Sequence, residues 1–432
     1  MCGRPVRSVD EQYEDTIRFL YGLERFGILL GLENISDLLE RMGNPQLSFP
    51  VVHVAGSNGK GSTSAFIYGI LRSAGLKTAL YTSPHLNDFR ERIRINGSLV
   101  SKEAVIESAD KVRGLYDPDR TTFFEYTTAM AFECIARERP DVAVIEVGLG
   151  GRLDATNTTH PRVTVITDIS REHEDYLGVG IASVAREKAG IIKNGIPLVT
   201  GASRRDAREV ILDAALRAGA PVREFGCHFK GVRTGRDTYT YFSEHFRIEH
   251  LRPPMPCSYQ MKNSSLAIAA VEELIAADFP VDEQAVRSGI QGTRFPGRFE
   301  ILRREPDVVI DGAHTPEGMR LLKSAFHSHY PRARPLLLLG VLGDKSYETL
   351  VGIVAPIARE VVCVSPQGNR ALDPAVLASL VSGLGIPARA APSITEGFRM
   401  LLDKAMRDDV ILAAGSLYMI GPVRAACGLA DE

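Results

Sequence analysis

Residues 51–75 read VVHVAGSNGKGSTSAFIYGILRSAG, and this stretch decides the fold class. Val51 to Ala55 are apolar apart from one histidine, which predicts a buried strand. A glycine-rich turn follows, and the pattern from Ser62 to Ala74 predicts a helix with Gly75 as its C′ residue. A strand that runs through such a turn into a helix aims backbone N–H groups at one point, which is typical of a phosphate site.

Two side chains in this turn suit a nucleotide. Lys60 would neutralise charge at the β- and γ-phosphates, and the Ser62 hydroxyl would bond a phosphate oxygen or help to place Mg²⁺. The spacing departs from GxxxxGK[ST], because Gly61 stands between the lysine and the serine. A glycine-rich turn without a ligand is the alternative interpretation of this motif on its own.

Short β-branched runs alternate with amphipathic stretches on both sides of this turn. Further buried strands are predicted at 77–82, 142–147, 163–169 and 196–200, and a further helix at 122–138. Such alternation is typical of a parallel sheet covered by helices. The fold class is therefore predicted to be α/β, with an N-terminal P-loop ATPase domain built on a mostly parallel sheet.

The polar, alternating residues 229–250 interrupt this pattern and predict a small antiparallel hairpin attached to the main sheet. A helix over 259–277 closes the unit, and the turn-rich segment Thr293-Arg-Phe-Pro-Gly-Arg298 precedes a second alternating series. Strands of that series are predicted at 308–310, 336–339, 361–364 and 410–413.

This second series predicts a separate, doubly wound α/β domain at the C-terminus. The expected organisation is an ATP-binding domain over 1–293, a linker over 294–298 and the C-terminal domain over 299–432. A prior of about 150 residues per domain also favours division of the chain.

The charges nearly balance, with 51 Lys and Arg against 53 Asp and Glu. No large field of one sign indicates a nucleic-acid partner, so the substrate is predicted to be a small molecule. The six cysteines are scattered, without a CxxC pair or a spacing typical of zinc or of disulfides. They are Cys2, Cys134, Cys227, Cys257, Cys363 and Cys427. Reduced thiols of a cytoplasmic protein are expected.

The first residues, MCGRPVRSVDEQYEDTIRF, carry acidic side chains where a signal peptide needs an apolar core. No apolar run of about 18 residues, the length of a membrane span, occurs in the chain. Neither secretion nor membrane insertion is expected.

Polar side chains follow several predicted strands, at the sheet edge where α/β proteins bind ligands. Ser83 follows one strand, Glu146 ends another, and His173 follows a third. Mg²⁺ prefers oxygen ligands, so Ser83 and Glu146 are suitable and His173 is a less usual ligand. Taken singly, Ser83 would be a turn hydroxyl and His173 an exposed loop histidine. The nearby GLGGRLD lacks the GxGxxG spacing, which argues against NAD.

For two lysines, the alternative interpretation is an exposed side chain without a functional role. Lys188 lies late in a predicted helix, in Arg186-Glu-Lys-Ala-Gly-Ile-Ile192, and by itself would be a surface lysine in a salt bridge. Lys345 lies in a turn after the strand at 336–339 and by itself would be a solvated lysine.

A set of short motifs occurs in a fixed order along the chain. They are HVAGSNGKGST, TSPHL, ERIRING, FFEYTTAMAF, EVGLGGRLDATN, AREKAGIIK, PGRFE, DGAHTPEG, LGDKS and AAGSLYMIG. In this order, from about residue 25 to the C-terminus, the chain resembles the folylpolyglutamate synthase / dihydrofolate synthase family, relatives of the Mur peptidoglycan ligases. Any one motif could arise by chance, whereas the ordered set is very specific.

The resemblance implies an ATP- and Mg²⁺-dependent ligase that joins L-glutamate to a folate-type carboxylate. The phosphates of ATP would be held by Asn58, Gly59, Lys60, Gly61 and Ser62. Further contacts to the nucleotide, between a Mur-ligase-like domain and a glutamate-ligase domain, would come from Asn263, Arg298, Asp311 and His314.

The resemblance also implies two Mg²⁺ ions, served by Ser83, Glu146, His173 and a carbamylated Lys188. A carbamate turns the lysine cation into an anion, which gives one metal a carboxylate-like ligand. The chain departs from the family pattern beside His173, because Glu172 and Glu174 stand where Asp and Thr are usual. This added negative charge would tighten metal binding or alter substrate preference.

Further residues are implied for the substrates. Thr82, Phe124, Glu125, Arg152 and Asp154 would line the pterin side. Glutamate is an anion, so its pocket needs a cation and hydroxyls, for which Lys345 and Ser416 are candidates at strand ends of the second domain.

The implied reaction begins with attack of the substrate carboxylate on the γ-phosphate, which gives an acyl phosphate that the glutamate amine then attacks. Lys60 and Lys188 would support the first step, and Asp154 or His314 would assist deprotonation of the amine. The expected partners are folate or pteroate, L-glutamate and ATP, bound by a monomer that contacts neither nucleic acid nor membrane.

Two alternatives stay open at this point. One is a Mur-type amide ligase that acts on a different acid or amino acid. The other is a non-catalytic ATP switch whose P-loop drives partner binding. Within the family, the sequence leaves open whether dihydropteroate ligation, polyglutamate extension or both take place.

Overall fold

The computed structural model describes residues 7–23, 27, 29–235, 237–254, 257–368 and 370–429. The chain divides into two compact units. The first comprises residues 1–256 and 260–294, and the second comprises residues 257–259 and 295–432. Each unit contains a large, mostly parallel sheet of its own.

An eight-stranded sheet forms the centre of the first unit. Its strands are β1 (Val51–Ala55), β2 (Thr78–Tyr81), β3 (Ile93–Ile95), β4 (Ser98–Leu99), β5 (Val142–Glu146), β6 (Val163–Ile166), β7 (Leu198–Thr200) and β8 (Val222–Glu224). Their order is β4-β3-β2-β5-β1-β6-β7-β8, in which β3 and β4 run antiparallel to their neighbours. The parallel strand β1 lies between β5 and β6, so the loops after these three strands meet at one edge.

Helices cover both faces of this sheet. They are α1 (Val9–Gly22), α2 (Glu33–Arg41), α3 (Lys60–Ser73), α4 (Lys102–Arg113), α5 (Phe123–Glu138), α6 (Glu174–Leu177), α7 (Ile181–Ala189), α8 (Arg205–Arg217), α9 (Ser258–Ile275) and α10 (Glu283–Gly292). Val52 and Val54 pack in one core with residues of α3, α9 and α10, whereas Val51 packs in another with residues of α2 and α5. This burial on both faces explains the continuous apolar run of β1.

Residues 229–250 were expected to form a hairpin attached to the main sheet, and that attachment is wrong. They form a separate sheet of β9 (Phe229–Arg233), β10 (Tyr239–Ser243) and β11 (Arg247–Leu251), in the order β11-β10-β9. Tyr239 and Tyr241 pack in the same core as Leu266 of α9. Side-chain burial against this helix therefore holds the small sheet, in place of strand pairing with β8.

A six-stranded sheet forms the centre of the second unit. Its strands are β12 (Glu300–Arg303), β13 (Asp307–Asp311), β14 (Leu336–Leu339), β15 (Glu360–Cys363), β16 (Ala388–Ala390) and β17 (Val410–Ala414), in the order β12-β13-β17-β14-β15-β16. The helices are α11 (Pro316–His329), α12 (Tyr347–Val354), α13 (Pro374–Gly383), α14 (Ile394–Lys404) and α15 (Leu417–Ala426). The predicted C-terminal α/β fold is confirmed. The edge strands β12 and β16 were not predicted, because neither is buried along its length.

Short 3₁₀ helices complete the described elements, at Pro45–Leu47, Phe89–Arg92, Ala155–Thr158 and Ala355–Ile357. The described cysteines are all free thiols, and Cys2 lies outside the described residues. In the described part of the chain, no helix has both the length and the apolar character that a membrane crossing requires.

Candidate active site

The turn after β1 enters α3 without a side-chain cap. Its N-cap residue is Gly59, with a φ of +87°, which has no side chain to bond the first N–H groups of the helix. Uncapped N–H groups and the helix dipole favour an anion at this position. The predicted phosphate turn, residues 58–62, therefore has a backbone that suits a phosphate group.

Two glycines of this turn are required by their surroundings. A Cβ on Gly56, whose φ is +147°, would lie 1.9 Å from Thr167 Oγ1. A Cβ on Gly59 would lie 2.4 Å from Asn263 Oδ1. Only glycine permits this approach of the turn to its neighbours.

The loop after β6 holds the turn from one side. The Ser57 amide donates to the Asp168 carbonyl at 2.7 Å, and Asn58 Nδ2 donates to Ser170 Oγ at 3.0 Å. The Thr167 hydroxyl donates to the Asn58 carbonyl at 2.7 Å. These hydrogen bonds therefore fix the conformation of the turn.

Helix α9 holds the turn from another side. Gln260 Nε2 donates to Ser62 Oγ at 3.1 Å, and Asn263 Nδ2 donates to Gln260 Oε1 at 3.1 Å. The predicted nucleotide residue Asn263 thus lies beside the predicted phosphate turn. Gln260 was missed in the sequence analysis, although it lies three residues before Asn263 and therefore on the same face of the helix.

Two lysines meet at one backbone carbonyl. Lys60 Nζ donates to the Gly56 carbonyl at 2.7 Å, and Lys188 Nζ donates to the same oxygen at 2.9 Å. Lys188, on α7, is 1% exposed. Its interpretation as a surface lysine is therefore wrong.

Glu172 forms a buried ion pair with Lys188, with 2.6 Å between Oε1 and Nζ. Burial would raise the pKa of Glu172, but Lys188 and Lys60 outweigh it and hold the pKa at about 2. Burial lowers the pKa of Lys188, so its amine becomes neutral at a lower pH than that of a surface lysine. The phosphate turn is therefore flanked by two cations and one carboxylate.

Ser83 and Glu146 are brought together as predicted. The Ser83 amide donates to Glu146 Oε2 at 3.2 Å, and Glu146 is buried at the end of β5. A glutamate and a serine both carry oxygen donors, which a hard cation prefers. His173 is the N-cap residue of α6, next to Glu172. Among the described residues, no three His, Cys, Asp or Glu side chains form a metal site, so a metal here would also use serine, modified lysine or water.

Asp154 is a buried carboxylate with a chain of polar partners. Oδ2 accepts from the Leu149 amide at 2.8 Å, and Oδ1 accepts from the Thr156 hydroxyl at 2.5 Å. Burial raises the pKa of Asp154. Because the Thr156 proton goes to Asp154, His53 Nε2, at 2.9 Å from Thr156 Oγ1, must donate. His53 was missed as a site residue, although it is the one polar side chain of β1.

The remaining residues predicted for the pterin side differ in their surroundings. The Phe124 ring lies against the loop after β5, since a Cβ on Gly148 would lie 2.3 Å from its Cζ. Arg152 pairs with Glu187, at 2.9 Å between Nη2 and Oε1, and points largely to solvent. Glu125 Oε2 accepts from the Thr122 amide and hydroxyl, both at 2.8 Å. Glu125 therefore already has a structural role as the capping box of α5.

In the second unit, Arg298, Asp311 and His314 lie around the turn after β13. Asp311 Oδ1 accepts from the Ala313 amide at 2.7 Å, and His314 Nδ1 lies 2.8 Å from the Gly312 carbonyl. A Cβ on Gly312 would lie 2.6 Å from Arg298 Nη1. Burial raises the pKa of Asp311, and Arg298 opposes this shift.

Lys345 and Ser416 follow β14 and β17, which are parallel neighbours. Lys345 is half-buried, and no carboxylate of the described residues lies within ion-pair distance of its Nζ. The Ser416 hydroxyl accepts from the Tyr418 amide at 3.2 Å as the cap of α15. Lys345 lies six residues beyond the end of β14, and Ser416 lies two residues beyond the end of β17 and also has a capping role.

Residues 54–271 match the Mur ligase middle domain, and residues 297–417 match the Mur ligase glutamate ligase domain. The dihydrofolate synthase/folylpolyglutamate synthase of Bacillus subtilis is 32% identical over 429 residues, which cover 95% of this chain and 98% of that protein. The chain belongs to the folylpolyglutamate synthase/dihydrofolate synthase family.

Solved structures of this family have the same fold. Escherichia coli FolC in complex with DHPP and ADP has a TM-score of 0.88 at 29% identity, covering 96% of this chain and 97% of that one. The Yersinia pestis folylpolyglutamate synthase/dihydrofolate synthase complexed with AMPPNP and Mn ion has a TM-score of 0.88 at 28% identity, covering 98% and 100%.

Some members of the folylpolyglutamate synthase family are longer. The Haloferax volcanii probable bifunctional folylpolyglutamate synthase/dihydropteroate synthase is 32% identical over 428 residues, and this chain spans 50% of its length. The similarity therefore covers about half of that longer protein.

Proposed function

We propose that this chain is an ATP-dependent ligase that joins L-glutamate to a folate-type carboxylate, dihydropteroate or a tetrahydrofolate, through an acyl phosphate. One observation carries the proposal: the uncapped N-terminus of α3 with Lys60, and the Ser83–Glu146 pair, lie at or just after the carboxyl ends of the parallel strands β1, β2 and β5. The relatives named above, which carry these activities in their names, support the choice of substrate.

The first step is attack of a substrate carboxylate oxygen on the γ-phosphorus, with ADP as the leaving group. This step requires alignment and neutralisation of charge, which residues 58–62 and Lys60 supply at the α3 N-terminus. In the second step the glutamate amine attacks the acyl carbonyl, phosphate leaves, and the amine loses a proton. We assign the receipt of that proton to Asp154 or His314, and the raised pKa of Asp154 supports it as a base.

A divalent metal ion would be held by Ser83, Glu146 and His173, and two ions are proposed. The bound metal would neutralise the charge that develops on the phosphoryl oxygens. Glu146 is buried and accepts from the Ser83 amide through Oε2, so its carboxylate is held in position for this role.

Lys188 is proposed to be carbamylated, its neutral amine adding to CO₂ with release of one proton. The lowered pKa of Lys188 supports this addition, because only the neutral amine attacks CO₂. Glu172 now pairs with the ammonium, and a carbamate would place two anions together. We therefore propose that Glu172 turns toward a metal ion when the carbamate forms.

Further assignments remain part of this proposal. Nucleotide contacts are assigned to Asn263, Arg298, Asp311 and His314, and pterin contacts to Thr82, Phe124, Glu125, Arg152 and Asp154. The functional domains are proposed to span 1–293 and 299–432, with 294–298 as a linker. The protein is proposed to act as a cytoplasmic monomer on small molecules.

The decisive experiment is to incubate the purified protein with ATP, Mg²⁺, glutamate and either dihydropteroate or tetrahydrofolate, and to measure both ADP and the amide product. Product with one or both acids supports the proposal and shows which activity the chain has. ADP release with amide product only from other acids or amino acids would favour a different Mur-type ligase. Nucleotide binding without any amide product would favour an ATP switch.

Lys345→Ala is expected to raise the apparent KM for glutamate by about tenfold to a hundredfold, with little change for ATP. The reason is the loss of a charge-assisted hydrogen bond to a glutamate carboxylate. Kinetics with each substrate varied in turn measure this. Lys323→Ala, the same change in α11, is the control. An unchanged KM for glutamate, or an equal change for ATP, would move the glutamate pocket away from Lys345.

A further inference from the structure

Arg92 is a buried arginine whose charge no described carboxylate neutralises. Its residue is 6% exposed, and it forms no ion pair within the described part of the chain. The side-chain hydrogen bond that it makes there runs from Nε to Nδ1 of His85, at 2.8 Å. A guanidinium does not deprotonate in proteins, so this position always carries a positive charge.

His85 does not neutralise that charge. Because Nδ1 accepts from Arg92, the proton of the imidazole is on Nε2, and the ring is the neutral tautomer. Nε2 lies 3.0 Å from the Tyr21 hydroxyl, to which it therefore donates. The hydrogen bond from Arg92 Nε to His85 orients the guanidinium and leaves its terminal nitrogens for another partner.

The nearby carboxylates are committed elsewhere. Asp88 binds Arg90, with 2.6 Å between Oδ2 and Nη2, and accepts from the Tyr13 hydroxyl at 2.7 Å. Glu91 Oε2 accepts from the Leu86 amide at 2.7 Å, and Oε1 accepts from two further backbone amides. Two acidic residues thus lie within four positions of Arg92, and neither pairs with it.

Aromatic rings form walls around Arg92. The guanidinium carbon lies 5.7 Å from the centre of the Phe89 ring and 5.4 Å from that of Phe123. These cation–π contacts recover part of the cost of burying a charge, but a buried charge without an anion is still unfavourable. A ligand anion would remove that cost.

The position of Arg92 connects it to the proposed substrate side. Its carbonyl accepts from the Thr82 amide at 2.9 Å, and Phe123 directly precedes Phe124 in the chain. We propose that the Arg92 guanidinium is an anion subsite that binds a carboxylate of the acid substrate. This inference rests on the proposed function. The carboxylate has two possible sources, the reacting one and a non-reacting one on a glutamyl group.

The test compares Arg92→Gln with Arg90→Gln, the same change two residues away at an arginine that Asp88 already neutralises. Kinetics are measured with dihydropteroate, whose one carboxylate reacts, and with tetrahydrofolate, which has an additional carboxylate. We expect Arg92→Gln to lower kcat/KM about tenfold to a hundredfold. Loss with tetrahydrofolate alone identifies the non-reacting carboxylate, and loss with both acids identifies the reacting one.

A merely structural role for Arg92 has a different signature. In that case Arg92→Gln would lower the melting temperature and reduce kcat with every substrate, without a change in the KM for the acids. That result, or kinetics equal to those of Arg90→Gln, would overturn the proposal. Arg92→Lys keeps the charge and should recover part of the acid affinity, and it replaces the glutamine variant if the latter does not fold.

A binding measurement separates this inference from the proposed function. If the wild-type protein forms no amide, calorimetric titration with pteroate and with folate still tests the subsite. Tighter binding by the wild-type protein than by Arg92→Gln would support the subsite while the ligase proposal fails. Equal binding by both proteins, or no binding by either, would overturn the subsite as well.

Discussion

Lys60→Ala is expected to reduce ATP-dependent amide formation by roughly a hundredfold to a thousandfold, the range seen when one transition-state donor is lost. The Lys60 ammonium lies 2.7 Å from the Gly56 carbonyl. Within the described residues no carboxylate lies at ion-pair distance from it, so its charge is available to a phosphoryl group. The measurement is the rate of amide and ADP formation at saturating substrates.

Lys77→Ala is the matched control for this experiment. Lys77 forms a surface ion pair with Glu138, at 2.9 Å, and precedes β2 at the opposite end of the strand from Ser83. Its removal should change stability by less than about 1 kcal/mol and leave turnover intact. A folded Lys60→Ala protein with the turnover of the wild type would contradict the phosphate assignment.

Lys188→Ala is expected to remove most activity and also to destabilise the fold by about 3–5 kcal/mol. The activity is lost with the proposed carbamate. The stability is lost relative to metal-free protein with unmodified Lys188, because there Glu172 remains as a buried carboxylate without its ion-pair partner. Chemical denaturation measures the second effect, and single-turnover kinetics measure the first. Acetate should partly restore activity by taking the place of the carbamate.

The double variant Glu172→Gln with Lys188→Met separates these two effects. It removes both charges at once, so it should recover much of the stability that Lys188→Ala loses, without recovering activity. The carbamate itself is detected by ¹³C NMR after incubation with ¹³C-bicarbonate. Its carbonyl signal should be present in the wild-type protein and absent from Lys188→Ala. Normal turnover by Lys188→Ala would show that Lys188 has only a structural role.

Much of the fold could be predicted because the signals are local. Strand β1 is a run of five residues that are all buried, as its largely apolar sequence indicates. Gly75, with a φ of +81°, ends the helix pattern that follows it. The pairing of Ser83 with Glu146 was also predictable, because carboxyl ends of parallel strands share one edge. The phosphate turn, the strand ends and the family resemblance are thus properties that the sequence determines by itself.

The rest depends on which distant segments become neighbours, and no local pattern records that. The polar alternation of residues 229–250 is the same whether these strands extend the main sheet or pack on α9, and burial of Tyr239 and Tyr241 decided the second. Likewise, Lys188 has the pattern of an exposed helix residue until α7 brings it to Gly56 and Glu172.

The same reason explains the site residues that were missed. His53 and Thr156 are 103 residues apart, and their contact exists because β1 lies beside β5, whose following loop carries Thr156. Arg92 is one of several charges in its segment, and it lacks an ion pair within the described residues because Asp88 and Glu91 bond elsewhere. The sequence alone therefore determined many of the buried strands and the family. The tertiary structure decided which charges are buried and with which partners, because burial and pairing are set by contacts across the sheet and not by neighbours in the chain.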